Sequence, residues 1–518
     1  QIEEWKDLYA LEEQEDQGLE QFTGSDEIDE EFLKRNQSMM VDTKHFDEEF
    51  KYKLLESFSD LENEIEGHVF KGENWQTMNF LSERYENEIE TVYIDPPYNT
   101  ENSEIIYKNN YKHSSWMSLM ENRLSKSKDV LSENASLTVA IDEYEQERLG
   151  MLLKEVWPEK EETPITVIHN PGGIQGKNFK STHEYAYFIH PEDKELGLKD
   201  RTDDLVKDDP DVRPFRDVSK GDHLREDAEN CFYPIYIEDG EIVGFGEVCE
   251  DSYHPESANV EQEDGRIAVY PIDAQGNERK WVFARQSIDE VKDDLEVYKN
   301  EQRGIWDIKR IKSEFKYKTV WKDKKYNSNS YGSKLLNNIM GEEKFTFPKS
   351  LHNVKDSLNV HTQFNKDSVV LDYFAGSGTT AQAVLNLNEE DGGDRKYIMV
   401  EMGDYFSTVL IPRIKKVVYS KEWENGVPES KNRMSHFFQY TKLEDYEDTL
   451  NNLDAGDDQT GVEEFTSNTL EYFLNFEVDG ESLLDLDGLK DPFNYEMKIR
   501  EGDEAKRETI DLVETFNY

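Results

Sequence analysis

Cysteine is almost missing from this chain: Cys231 and Cys249 are the two among 518 residues. Their spacing makes no metal motif and no disulfide framework. That excludes a stapled secreted module, suits a reducing cytoplasm, and reads both thiols as structural. Long apolar runs are missing too, so neither a membrane span nor a signal peptide is expected. Basic residues are scarce: 60 Lys and Arg face 114 Asp and Glu, a formal net charge of −54. That charge is unusual for a chain that grips phosphate, which takes Lys and Arg. The acids run along the whole chain, which favours a surface adapted to high internal salt over an acidic face that mimics a polyanion. The excess of Lys over Arg fits a halophile less well.

What is present is enough for a core. Hydrophobic residues make up 36% and aromatics 12%, and the length predicts two to four units. The start at Gln1 and the stop just after Thr509–Val513 suggest a cut chain. Residues 1–65 read as an acidic, amphipathic helical segment. Strands are predicted at 87–94, 135–141, 164–169 and 184–190, with helices at 115–132 and 142–156. The alternation argues for an α/β fold with a parallel sheet. From 191 to 320 the texture changes to charged turns and short strands, as at Gly240–Phe245 and Trp281–Phe283, and reads as an insertion. Strands return at 369–372 and 396–401 around a helix at 378–389. Residues 441–518 form an acidic tail of mixed structure, and no internal repeat is seen.

Two loops carry the chemistry. In Leu371-Asp372-Tyr373-Phe374-Ala375-Gly376-Ser377-Gly378-Thr379-Thr380 a hydrophobic strand runs into a glycine turn and a helix starts. Glu401 ends the next strand, where an acid receives ribose hydroxyls in dinucleotide folds. The three-glycine phosphate pattern is incomplete and no P-loop lysine follows. A nucleoside without phosphates, such as S-adenosylmethionine, therefore fits better than NAD or ATP. In Tyr93-Ile94-Asp95-Pro96-Pro97-Tyr98-Asn99-Thr100 a buried strand ends in an acid, two prolines and an aromatic ring. Prolines fix φ and remove donors, so the loop is stiff and offers carbonyls. Asp95 and a proline carbonyl could accept both N–H bonds of an amine, while Tyr98 stacks on an extruded base. Both loops leave the carboxyl ends of predicted strands, where open α/β sheets bind ligands.

With Asp95–Tyr98 preceding Phe374–Gly378, the chain resembles the β class of DNA amino-methyltransferases, whose motif order is permuted. It is closer still to the modification (Mod) subunits of type III restriction–modification systems. Supporting stretches include Trp116–Leu124, Ser181–Tyr185, Phe347–Leu351 and Asp391–Lys396, and the resemblance runs from about residue 65 to the end. It implies a Rossmann-like fold with S-adenosylmethionine as cofactor, in two halves at 66–190 (catalytic) and 321–440 (cofactor-binding). Residues 191–320 would be a target-recognition domain, and 441–518 would serve partner or dimer contacts. It implies methylation of N6 of adenine, with Asp95, Pro96, Pro97 and Tyr98 at the base. Asp372, Phe374, Gly376, Gly378, Thr379 and Glu401 would hold the cofactor, with Phe374 on the adenine ring, and Lys349 would close the methionine end. Expected partners are double-stranded DNA, a second copy of the chain and a restriction (Res) subunit, with no membrane and no metal.

Candidate phosphate contacts are Lys309, Arg310, Lys312, Lys316 and Lys318, interleaved with Phe315, Tyr317, Trp321 and Tyr326. A smaller cluster is Lys108, Lys112 and Arg123. His113, His169 and His183 read as structural, because an oriented amine needs no strong base before methyl transfer. Rival readings are an N4-cytosine enzyme, a non-catalytic DNA reader, and an enzyme for another amine. The last more often has Asn at the Asp95 position and an unpermuted motif order.

Overall fold

The computed structural model describes residues 1–11, 30–99, 113–176, 178–200, 213–219, 221, 223–301, 303–311, 314–444, 448, 495–501 and 504–510. Thr100, Lys108, Lys112, Lys312 and most of the acidic tail lie outside the described residues. The chain divides into two compact units, Gln1–Gly197 with Lys318–Tyr518, and Leu198–Tyr317.

The first unit is built on a nine-stranded sheet. In chain order its strands are β1 (Gly67–Lys71), β2 (Ile89–Ile94), β3 (Leu131–Ile141), β4 (Glu161–Val167), β5 (Glu184–His190), β6 (Val320–Trp321), β7 (Val369–Asp372), β8 (Lys396–Glu401) and β9 (Phe438–Lys442). Their spatial order is β6-β4-β5-β3-β2-β7-β8-β1-β9. The alternation predicts a parallel sheet, and the sheet departs from that at one strand: β5 runs antiparallel to both β3 and β4. The reason is local. Parallel neighbours need a crossover, usually helical, and the link from β4 to β5 contains no helix.

The central strands are apolar on both sides because both faces are covered. Tyr397 and Met399 of β8 enter one core, while Ile398 and Val400 enter the other. The principal helices are α1 (Ile2–Tyr9), α2 (His113–Ser127), α3 (Gln146–Val156), α4 (Leu351–Thr362), α5 (Thr379–Asp391) and α6 (Ile411–Tyr419). In α2 the buried residues Trp116, Met120 and Leu124 recur every four positions, the period of one helix face. They join the core that contains Leu149 and Leu153 of α3. The opposite core takes α4, α5, α6 and, from the N-terminal segment, Trp5 and Tyr9. Tyr9 packs on Tyr419 with ring centroids 4.4 Å apart, so α1 is part of this unit rather than a free acidic arm.

The second unit, Leu198–Tyr317, holds a four-stranded antiparallel sheet that includes Ile235–Glu238 and Glu241–Phe245. Strands Leu295–Asn300 and Ile305–Arg310 form most of another sheet. Trp281–Phe283, predicted as a strand, makes only an isolated bridge from Trp281 to Arg216. Its sequence reads as a strand because Trp281 is a core anchor, stacked on Phe215 at 5.4 Å and donating to Tyr233 O at 2.7 Å. Among the described residues no helix is long and apolar enough to cross a membrane.

Trp281→Ala should remove about 3–5 kcal/mol from the second unit through lost burial and a residual cavity. Amide hydrogen exchange should show protection lost over 213–310 and kept in β2, β7 and β8. Equal loss in both units would contradict independent cores.

Candidate active site

β2 and β7 are hydrogen-bonded parallel neighbours, with Val92 opposite Leu371. Their carboxyl ends therefore lie side by side, although nearly 280 residues separate them in the chain. The loops that follow line one cleft of about 640 Å³, open to solvent. Its walls include Tyr93, Asp95 and Pro97 from the first loop and Asp372, Phe374, Gly376, Thr379 and Glu401 from the second region. Lys349 lines it as well. Gly378 starts α5 just behind the wall, and Pro96 and Tyr98 follow Asp95.

The glycine turn is held from beneath. Gly376 and Gly378 sit at φ 54° and 77°, the left-handed region that a side chain disfavours. Asp372 accepts from Phe374 N at 3.0 Å and Thr380 Oγ1 at 2.6 Å, so it braces the turn it precedes. Burial pushes its carboxyl up to about 7, against those two donors. Glu401 accepts from Gly376 N at 2.8 Å and Gly403 N at 2.7 Å, and burial raises it too. Arg413 of α6, fully buried, reaches Ser377 O at 3.1 Å, Ser377 Oγ at 2.9 Å and Thr379 Oγ1 at 2.9 Å. Burial lowers this guanidinium to about 9. The sequence reading missed it, because one arginine in an amphipathic helix carries no signal of what it braces.

The proline loop is fixed by other partners. Trp116 of α2 donates to Pro97 O at 2.8 Å, so that carbonyl is already engaged. Asn99 sits at φ 61° and donates to Glu145 Oε1 at 2.7 Å, and Glu145 also takes His113 Nδ1 at 2.7 Å. Neither His113, His169 nor His183 lines the cleft.

Around Asp95 lies a charge cluster that the sequence reading only partly found. Lys349 Nζ is 3.2 Å from Asp95 Oδ1, hydrogen-bonds Glu184 and Tyr98, and stands 4.5 Å from the centroid of the Tyr98 ring. Glu184, at the start of β5, also accepts from Tyr98 Oη at 3.2 Å and from Asn353 Nδ2 at 3.3 Å. Burial pushes Asp95 up, Lys349 works against that, and Glu184 adds to it. Burial opposes the charge on Glu184 as well, but Lys349 holds it below the usual range. Lys349, expected at the methionine end of a cofactor, is thus drawn to Asp95 and Glu184, because a buried carboxylate beside a half-buried one needs a counter-charge. Glu184 appears in the sequence only as one acid of Ser181–Tyr185, and β5 brings it to the loop.

The candidate phosphate contacts fare differently. Arg123 pairs with Glu73 at 2.5 Å and Asn74 at 3.0 Å, Lys309 with Glu296 at 3.1 Å, and Arg310 with Asp294 at 2.9 Å. In so acidic a chain a half-buried base finds a carboxylate nearby. Lys316 and Lys318 are exposed. Trp321 and Tyr326 are buried and stacked on each other at 5.3 Å, so they are core rather than base-stacking platforms.

The cleft fits a nucleoside with a charged tail. A glycine cradle faces it, the Glu401 carboxylate sits on its wall, and the buried Tyr93 hydroxyl has no hydrogen-bond partner among the described residues. Residues 89–411 match the family described as DNA methylase. The type II methyltransferase M.KpnI of Klebsiella pneumoniae is 32% identical over 378 residues, covering 68% of this chain and 84% of M.KpnI. The EcoPI Mod subunit of Escherichia phage P1 is 26% identical over 386 residues, covering 64% of this chain and 57% of that subunit. The HindVI Mod subunit of Haemophilus influenzae is 22% identical over 494 residues, covering 87% and 64%. The chain therefore spans less than two thirds of either Mod subunit. A cleft shared by the Asp95–Tyr98 and Phe374–Gly378 loops, and a match that runs from β2 into α6, identify the chain as a member of the DNA methylase family, whose cofactor is S-adenosylmethionine.

Proposed function

We propose that the chain methylates N6 of adenine in double-stranded DNA, as the modification subunit of a type III restriction–modification system, with the Leu198–Tyr317 unit reading the target sequence. The observation that carries the chemistry is the single cleft lined by both Asp95 and the Phe374–Glu401 wall. A second reading also has support: the chain spans 84% of M.KpnI, a type II enzyme, so it would act without a restriction subunit.

When bound, S-adenosylmethionine supplies a methyl group on a sulfonium sulfur. Glu401 would accept the ribose hydroxyls and Phe374 would cover the adenine, with Gly376 and Thr379 beside it. On the other side, the Asp95 carboxylate would accept one N–H of the target amine. Trp116 already engages the Pro97 carbonyl, which leaves the Pro96 carbonyl for the other. The nitrogen lone pair is then aimed along the cleft. Tyr98 would stack on the everted base once the Lys349 ammonium withdraws from its face. After transfer the amine proton passes to Asp95, whose carboxyl burial already favours in its protonated form.

In host DNA from cells expressing the chain, methylation mapping should show 6-methyladenine at one short motif, absent with Asp95→Ala. Cofactor affinity by calorimetry should change by less than about twofold in that variant, since Asp95 acts on the base. Detection of 4-methylcytosine would reject the adenine assignment. Glu401→Ala should weaken cofactor binding about tenfold or more, because charge-assisted hydrogen bonds of 1.5–3 kcal/mol are lost. Unchanged affinity would remove Glu401 from the cofactor site. Because an ionised Asp95 is needed and its carboxyl is raised, the single-turnover rate should fall on acidification at a pH above the ordinary carboxylate value of about 4. A rate that holds down to that pH would show that Asp95 is not the acceptor.

A further inference from the structure

The link from β4 to β5 emerges at the same sheet edge as the two loops of the cleft, and its far end is Glu184. It folds into a short hairpin, with Ile174 opposite Ser181 and Gln175 opposite Lys180. Gly173, at φ 71°, donates to Asn170 O at 2.9 Å, and Gly176 donates to Phe179 O at 3.1 Å across the tip. At its tip stands Phe179, 87% exposed, the most exposed large apolar side chain among the described residues. Ile174 on the facing strand is 61% exposed.

Two exposed apolar side chains, Phe179 and Ile174, on one short hairpin offer apolar surface that a partner could cover. The charge around it says what kind of partner. Acids make up 114 of 518 residues, about one in five, yet 163–183 contains none and is the longest acid-free stretch of the chain. Lys177 and Lys180 flank the tip in sequence, and Lys180 is exposed. A base-bearing, acid-free, aromatic-tipped hairpin suits a polyanion with flat rings. Phe179 is five residues from Glu184, so the tip lies at most roughly 18 Å along the chain from a residue that touches Tyr98.

We propose that Phe179 is the wedge that enters the DNA stack at the position the target base vacates, with Ile174 supporting it and Lys180 on the adjoining phosphate. This rests on the reading of the cleft as the home of an everted base. Everting a base opens a gap between its neighbours, and an apolar side chain inserted there recovers part of the lost stacking. A base that is already mispaired leaves the stack at little cost, so the wedge matters least for it.

The test uses the full chain, labelled S-adenosylmethionine and duplex oligonucleotides carrying the mapped motif, either fully paired or mispaired at the target base. On the paired duplex Phe179→Ala should slow single-turnover methylation about tenfold or more, because the stacking it recovers is absent. On the mispaired duplex it should run within about twofold of the parent. Phe179→Leu should retain most of the parent rate on both. Cofactor affinity should be the same in all three proteins. An equal deficit on the two duplexes, or no deficit on either, would overturn the wedge. So would a Phe179→Ala protein whose main change is a loss of self-association by mass photometry, which would make the tip a contact between copies. A parent protein that leaves no methyl group on the mapped adenine would defeat the reading of the cleft itself, whatever Phe179 does.

Discussion

The parallel ladder between β2 and β7 is the constraint on which the site depends. Backbone hydrogen bonds set Val92 against Leu371, and the side-chain period of two then fixes which residues face which core. Slip that pairing by one residue and the side chains of one strand change faces relative to the other. In register, β2 and β7 end within one residue of each other, at Ile94 and Asp372, and both loops leave at the same edge. Chain order has no bearing on this. The glycine loop comes last in sequence and the proline loop first, yet the sheet places them as neighbours because only strand order in space decides the crevice.

That geometry gathers acids where a sheet edge meets solvent. Asp95, Asp372 and Glu401 line the cleft, and Glu184 joins Asp95 through the Lys349 ammonium. Each is stabilised differently. Asp372 and Glu401 accept N–H and O–H donors from the glycine turn, so ligand-free they already have the partners that keep the turn rigid. Asp95 and Glu184 instead share the ammonium of Lys349. The difference matters chemically: backbone donors are fixed, whereas a lysine on a four-carbon stem can move aside for another N–H donor. The half of the cleft that would hold the methyl donor is braced, and the half that would take the base is closed by a side chain.

Sequence pattern carried the positions of β2, β3, β7 and β8, and of α2, α3 and α5, to within about five residues, but not α4. Those segments have continuous apolar runs or clear periods, and their ends carry glycine or proline punctuation. The two loops that meet at the cleft were legible for the same reason, since Asp95–Tyr98 and Phe374–Gly378 are contiguous. Glu184, Arg413 and Trp116 were not legible as parts of the site. Each acts across the sheet from an element remote in sequence, and nothing in a local window separates them from ordinary core or surface positions. The antiparallel turn of β5 escaped because periodicity reports burial, not direction; only the missing crossover helix betrays it. Trp321 and Tyr326, interleaved in sequence with the candidate phosphate contacts, are core, because aromatics beside lysines look alike whether they line a groove or a core.

The same contrast bears on how so acidic a chain could hold a polyanion. Counting bases led to 309–318, but Lys309 and Arg310 there are already matched by Glu296 and Asp294. A base paired at 3 Å presents little net field beyond the pair, and salt screens what remains. The quantity that matters is therefore the local absence of acids rather than the presence of bases. By that measure the acid-free stretch 163–183 is a better phosphate-facing surface than a lysine-rich segment with carboxylates beside it. It also leads directly into Glu184, which touches Tyr98 and Lys349, so under the proposed reading weak attraction there would act near the everted base. The remaining acids would repel DNA elsewhere, and the two effects together would favour one approach of the duplex over others.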